Sequence, residues 1–384
     1  MAVTHSLPGG TDYLSGNPIE IVITASAAKD NHRTAVKVKC DELISVEQID
    51  EREPIDLVSK HNLQGLLDEP LPVEFHFPVT GVASAHAALV LNVDLEIGEI
   101  WNDENGDRQE SFTPISDSLR VLDGKLFQHE LAVLTEAGKS FASEYIEGGK
   151  FLTSQPNNQK VSLNQYVKLW YLSRWTGSHE VTLFTKVNTN NKVAHIPIMQ
   201  NITLYPTTGL LELSINPIFQ GFELDPGELI VSFEVWLEDA GGEVSEHRTY
   251  IVDNRYREQQ LFGFFRNKFS AVESFWFRGE KEEGLKTDIE TAYTALPSGS
   301  GTKKASIKTV SNTGSRYIEV NTGVLKRAEM LGLRDFIQSK ERWIIDPDNS
   351  TKLIPVYIEG GDFKLNDTRQ DVQSIAFKLI EAHV

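Results

Sequence analysis

At 384 residues, with 40% hydrophobic, 9% aromatic and 24% charged residues, the chain has a globular composition and room for two or three cores, which excludes wholesale disorder. Its 55 acidic against 37 basic residues leave a net charge of -18, which repels nucleic-acid backbones and anionic membrane surfaces and argues against both as partners. A single cysteine, Cys40, excludes an internal disulfide.

The first ten residues carry neither a basic start nor an apolar run, and no stretch reaches the apolar length of a bilayer span. The expectation is a chain made in the cytoplasm with no membrane insertion. Residues 19–25 and 34–40 flank the polar turn at Lys29-Asp30-Asn31-His32-Arg33 and read as a hairpin, with Cys40 as a small buried thiol. An acidic segment follows, and Leu57, Val58, Leu63, Leu66 and Leu67 suit a short helix or two before Pro70. Residues 86–101 read as a strand with Leu89, Leu91, Val93, Leu95 and Ile97 on one face, ended by the acidic loop 102–107. Asp123-Gly124 predicts a second tight hairpin between residues 119–122 and 125–127, because glycine accepts positive φ.

Gly148-Gly149 marks a domain boundary. Beyond it, residues 166–172, 180–187, 193–204, 211–218, 229–237 and 247–252 are six strand-like runs separated by Gly, Asn or Pro-Gly turns, the rhythm of a fibronectin-like β-sandwich. In the last part, residues 284–296 and 316–321 alternate as strands around a flexible loop at 297–302. Leu325, Ala328, Leu331, Phe336 and Ile337 recur at helical spacing, so one helix is predicted over 324–339. Two strands, 353–359 and 372–382, close the chain through Gly360-Gly361. The whole reads as mainly β: three consecutive β-sandwich-like domains at 1–149, 150–254 and 255–384, the middle one fibronectin-like and the last with one short helix.

Residues 260–280 hold Phe262, Phe264, Phe265, Phe269, Phe275, Trp276 and Phe277 in two short runs split by a polar loop at 266–271. Wide planar rings fit a pleated surface, so two strands and a tight connection are predicted. Successive rings point to opposite faces, so both faces need cover, from another layer or another subunit. These seven residues and Trp343 are the candidate interface; domain core is the alternative, since core and obligate interface share composition.

No motif carries chemistry. His179-Glu180 and His129-Glu130 lack the second histidine of a metalloprotease helix, and the ten histidines make no paired metal spacing. The 102–107 loop has alternating oxygen ligands but not the order of an EF-hand, so a solvated turn is favoured over calcium. Gly299-Ser300-Gly301-Thr302-Lys303-Lys304 misses the spacing of a phosphate loop, and no Gly-x-Ser-x-Gly elbow occurs. Cofactor, metal and catalytic residues are therefore none. The six tryptophans read as core or interface anchors before a sugar-stacking platform.

The signposts occur in an order that resembles one known family. Gly16-Asn17-Pro18-Ile19 matches its opening strand, and Phe151-Leu152-Thr153 with Pro156, Val161 and residues 166–172 the start of its middle domain. Ser245-Glu246-His247-Arg248-Thr249-Tyr250-Ile251-Val252-Asp253 matches that domain's last strand. Leu261-Phe262-Gly263-Phe264-Phe265-Arg266-Asn267 through Gly279, then Tyr317-Ile318-Glu319-Val320-Asn321-Thr322-Gly323, the helix, Ser339 and Leu353-Ile354-Pro355-Val356 complete the series. Together they resemble the tail structural proteins of tailed phages and prophages of Bacteroidota, with Lys268-Phe269-Ser270-Ala271 standing where that family has a paired glycine. The resemblance implies a virion tail component near the distal end or baseplate, a homo-oligomer, a ring by expectation, that docks other tail proteins and has no catalytic residues. The alternatives are a carbohydrate- or receptor-binding module, which would bring a host surface glycan as partner, and a polysaccharide hydrolase with two carboxyls in a cleft.

Overall fold

The computed structural model describes residues 3–7, 12–40, 47–67, 83–86, 90–116, 118–175, 177–204, 210–216, 222–255, 260–294, 306–347, 349–365 and 372–382. They form a mainly β protein of two compact units: Met1–Asn254 with Arg266–Glu273, and Arg255–Phe265 with Ser274–Val384. Among the described residues no helix is long and apolar enough to cross a membrane.

The first unit opens with strands β1 (Thr4–Ser6), β2 (Asp12–Leu14), β3 (Glu20–Thr24), β4 (Asp30–Cys40), β5 (Glu47–Arg52) and β6 (Val58–Asn62), then the single helical turn α1 (Gln64–Leu67). Next come β7 (Ala83–His86), β8 (Val90–Asn102), β9 (Arg108–Pro114), β10 (Leu119–Leu122), helix α2 (Gln128–Glu136) and a π-turn at Ala142–Ile146. One sheet runs β1-β3-β6, the other β2-β10-β8-β4-β5 with β9 also on β8. Ile19, Ile21 and Ile23 meet Val36, Val38, Leu91, Val93, Leu95 and Ile97 in one core.

Three sequence-based expectations fail here for physical reasons. β3 and β4 are strands but not a hairpin: each supplies an apolar face to the same core from a different sheet. The segment 57–67 is helical only over α1 at its end; before it β6 alternates exposed and buried positions and buries Ser59 and His61, polar residues that an apolar count passes over. The Asp123-Gly124 hairpin is absent, since the Lys125 N–H donates to the Lys268 carbonyl (2.6 Å) and the Leu126 N–H to Asn17 Oδ1 (2.9 Å) before α2 begins. Glycine is still required there, at φ 155°, because a Cβ would lie 2.6 Å from the Lys268 oxygen. The side chain of Cys40 lies outside the described residues.

The unit continues with β11 (Gln159–Val161), β12 (Val167–Leu172), β13 (His179–Thr189), β14 (Val193–Leu204), β15 (Leu210–Ile215), β16 (Ile230–Asp239), β17 (Gly242–Glu243) and β18 (Arg248–Val252). Each of the six strand-like runs read from the sequence between 166 and 252 contains a strand. Two sheets, β11-β18-β16-β13-β14 and β12-β15-β7, enclose a second core that includes Leu169, Tyr171, Leu183, Leu213, Phe233, Val235 and Tyr250. Gly149 lies between the two cores in sequence, yet β7, from before it, pairs with β15. Every residue of β12 and β15 is buried, so this sheet is covered on both faces.

The second unit contains β19 (Leu261–Arg266) as far as Phe265, β20 (Val272–Phe277) from Ser274 on, β21 (Lys281–Thr294), β22 (Ser306–Asn321), β23 (Leu325–Lys326), helix α3 (Arg327–Gln338), β24 (Arg342–Asp346), β25 (Asn349–Ile358), β26 (Val372–Gln373) and β27 (Ala376–Glu381). Seven strands form one sheet, β20-β19-β24-β25-β27-β22-β21. Met330, Leu333 and Phe336 of α3 pack in the core with Phe265, Phe275, Phe277, Ile318 and Leu379. The helix starts where Glu329 accepts the Lys326 N–H (2.8 Å), and the same carboxylate takes the buried Arg278 guanidinium (2.7 Å). The loop at 297–302 lies outside the described residues.

Candidate functional site

The aromatic hairpin forms as predicted, from β19 and β20, and both faces are covered within one chain. On one face Phe265, Phe275 and Phe277 join the α3 core, with Phe265 edge-on to Phe336 (5.4 Å) and Phe277 edge-on to Phe336 (5.6 Å) and Phe377 (6.3 Å). On the other face Phe264, opposite Trp343 in the β19–β24 register, and Trp276 are buried as well. Phe264, Phe265, Phe269, Phe275, Trp276 and Phe277 are each at most 5% exposed, and only Phe262 and Trp343 are half-buried. Six of the eight candidate interface residues therefore have no surface left for a second protein while this fold is intact. They are core.

The turn of the hairpin, Arg266–Glu273, belongs to the first unit. Asn267 organises it: its Oδ1 accepts the N–H groups of Phe269 (2.9 Å) and Ala271 (3.1 Å), and its Nδ2 donates to the Leu152 carbonyl (2.9 Å) and to Glu273 (2.5 Å). Ser270 takes φ 55°, the conformation a glycine would supply, and donates to Asp123 (2.6 Å). The bulk of this turn has a purpose: Phe269, 1% exposed, meets Tyr145 edge-on (4.8 Å) and Phe141 (6.1 Å), while Lys268 pairs with Glu130 (2.7 Å). Glu273 accepts the Ser154 N–H (2.7 Å), and the Val272 carbonyl accepts Trp170 Nε1–H (2.8 Å). The turn thus touches the second face of the β12-β15 sheet at Trp170.

Sequence reasoning found no nucleophile, yet the first unit holds a triad-like array. Asp50 Oδ2 lies 2.9 Å from His61 Nδ1, and His61 Nε2 lies 3.1 Å from Ser59 Oγ and 3.0 Å from Thr34 Oγ1, with the two hydroxyls in contact. The Ser59-x-His61 spacing on a strand, which puts both side chains on one face, was the available signal. The connectivity is that of a hydrolytic triad, but Thr34 and His61 are 0% exposed and Ser59 is 5% exposed, so a scissile carbonyl has no approach to the hydroxyl. Burial pushes the His61 imidazole below its ordinary value against the opposing pull of Asp50. The array joins β6 of one sheet to β4 and β5 of the other, a satisfied polar network that fixes how the layers meet.

A cleft of about 480 Å³ is lined by Ala28, Lys29, Asn31, His32, Glu53, Pro54, Asp56 and Leu57. Beside it the buried Glu99 carboxylate accepts the Ser26 N–H (2.6 Å) and Lys29 Nζ (2.6 Å), and Lys29 sits over the Trp101 ring (3.5 Å). Burial would raise the Glu99 carboxyl, but the bonds from Lys29 and Ser26 outweigh it and hold it below the ordinary range. The two cleft carboxyls, Glu53 and Asp56, are exposed, so neither is a desolvated acid of the kind a glycosidase uses as proton donor.

At the 102–107 loop Asp103 turns inward: its Oδ1 accepts the Asp107 and Asn105 N–H groups (2.9 Å each), bonds that lower its pKa. This is a hydrogen-bonded β-turn with its central carboxylate already engaged. Among the described residues no group of three or more His, Cys, Asp or Glu is placed to hold a metal. His179, read as a broken metal motif, stacks on Trp175 (3.8 Å) and pairs with Asp239 (2.8 Å). All six tryptophans are described and none is exposed: Trp170, Trp236 and Trp276 are buried, and Trp101, Trp175 and Trp343 half-buried.

The exposed feature of the second unit is the ribbon β21–β22. β27 pairs with β22 only at Tyr317–Asn321, so from residue 316 back to 306 the strand pairing of β22 is with β21 alone among the described residues. Leu285 (63% exposed), Ile289 (56%) and Val310 (65%) stand on this part. A lone two-stranded ribbon is marginal in water, and aliphatic side chains left exposed on it have nothing to pack against.

No family model matches the chain, and no curated protein matches it. Among solved structures, two chains titled marsupial T cell receptor align at 11% and 12% identity, over 84% and 83% of this chain and 96% of each of theirs. Their TM-scores of 0.20 and 0.18 carry no argument about fold or function.

Proposed function

We propose that the chain is a non-enzymatic structural protein of a phage tail, a distal tail or baseplate component that works by assembling with copies of itself and docking other tail proteins. The tail assignment rests on the ordered sequence signposts. The observation that carries assembly is the β21–β22 ribbon: two strands of 14 and 16 residues that run past their last neighbour with aliphatic side chains in solvent. The interface moves accordingly, from the buried aromatic hairpin to this ribbon.

A glycan-binding role needs an exposed aromatic platform, and none of the tryptophans is exposed. A hydrolase is the second reading because of the Asp50-His61-Ser59 geometry, and the burial of Ser59 and His61 weighs against it. Electron microscopy of the purified protein tests the proposal. Closed rings support a tail component; monodisperse monomers that bind a glycan array support the rival module and overturn it.

A further inference from the structure

β21 is the terminal strand of its seven-stranded sheet, so one row of its backbone N–H and C=O groups has no strand partner among the described residues. Edge strands are commonly blunted against pairing by charges in mid-strand, and β21 carries Lys286, Asp288 and Glu290 there. Whether such charges repel a second copy depends on register.

We propose that β21 pairs antiparallel with β21 of a second copy about a two-fold axis through Thr287. In that register Lys286 falls opposite Asp288 of the second copy, Leu285 opposite Ile289, and Gly284 opposite Glu290. Each of these pairs occurs twice, as an isologous contact requires. Opposite charges and aliphatic pairs directly across a sheet are stabilising, and like charges are not. Neighbouring registers lose this match. Shifting the sum of paired numbers up by two sets Asp288 against itself, and shifting it down by two sets Lys286 against itself and Glu282 against Glu290.

The exposed Leu285 and Ile289 lie on one face of β21 with Thr287 between them, so both aliphatic pairs form on the same side of the joined sheet. The irregularity between Glu290 and Thr291 in the β21–β22 register bounds the regular run, leaving 284–290 as the symmetric segment. Pairing turns a two-stranded ribbon into a four-stranded one, past the number at which a sheet gains independent stability. The contact deepens the assembly reading yet is separable from it, because other surfaces can build a ring without it.

Disulfide trapping in the full chain decides. With Cys40 replaced by alanine, Thr287→Cys puts the two new thiols on the axis, where opposite Cα atoms sit about 4.5–5.5 Å apart, within disulfide reach. Glu282→Cys, on the same exposed strand, puts them about 30 Å apart. The expected result under mild oxidation is a covalent dimer from the first variant, at least tenfold more than from the second, and a tenfold or greater loss when Leu285→Lys is added. A folded Thr287→Cys protein that stays monomeric, or equal trapping of both cysteines, overturns the two-fold pairing. Rings seen without the Thr287 crosslink remove only this contact, whereas a monomer in both assays removes the assembly reading as well.

Discussion

Phe269→Ala is the perturbation that most sharply tests why the turn of the aromatic hairpin carries a bulky ring. The ring is 1% exposed and is held against Tyr145 and Phe141, so its removal deletes a core phenylalanine and two aromatic contacts together. Truncations of this kind cost about 3–5 kcal/mol, of which aromatic pairing contributes about 0.5–1.5 per contact. Phe269→Leu keeps most of the volume and should cost about 1.5 kcal/mol or less. A protein of two units need not unfold in one step, so hydrogen exchange by mass spectrometry, read on peptides covering 140–155 and 266–273, is the fitting assay. A loss of about 3 kcal/mol speeds exchange through local opening by roughly 150-fold, since 1.36 kcal/mol is a factor of ten. The amides of Phe269, Ala271 and Ser154, bonded to Asn267 and Glu273, should show it. Protection in Phe269→Ala within about threefold of wild type would refute the assignment of this ring as the plug of the turn.

Other consequences follow from single buried groups. Because burial depresses His61, the unfolded chain takes up this proton more readily than the folded one, so its contribution is whole above the ordinary value near 6.5 and is lost as pH falls through the folded value. The urea midpoint of the first unit should drop between pH 7 and pH 5, with a flatter dependence in His61→Gln; equal slopes would contradict this. Lys168 and Glu212 form a buried ion pair, with burial pulling the lysine pKa down against the carboxylate. Lys168→Met alone should destabilise by about 3–5 kcal/mol, and joint replacement with Glu212→Leu should restore most of it in denaturant melts. A fluorophosphonate probe should leave Ser59 unlabelled in the native protein, and stoichiometric labelling abolished by Ser59→Ala would revive the hydrolase. Glu329→Ala removes both the α3 start and a buried ion pair with Arg278, and should cost more in thermal melts than the roughly 1 kcal/mol of a cap alone.

Much of this fold was legible because apolar periodicity reports burial. Six of the seven described strands between 166 and 252, the paired aromatic strands and α3 all follow from it. It failed where strands bury polar groups, as β6 does with Ser59 and His61, and where two good strands belong to different layers, as β3 and β4 do. Local turn chemistry misled at Asp123-Gly124, because that glycine serves a close backbone approach from a residue more than a hundred positions away. The aromatic hairpin was placed correctly and its role was left open between core and interface, since composition cannot separate the two. The ribbon edge left little mark in sequence: its signal is a strand longer than its neighbours, which only pairing reveals.

Sedimentation velocity of the purified 384-residue chain over a hundredfold range of concentration addresses most directly the claim that this protein acts through its surfaces on further copies. Species larger than the 43.0 kDa chain should form, grow with concentration and shrink when Leu285 and Ile289 are both replaced by lysine. A single monomeric boundary throughout, unchanged by those substitutions, would contradict it.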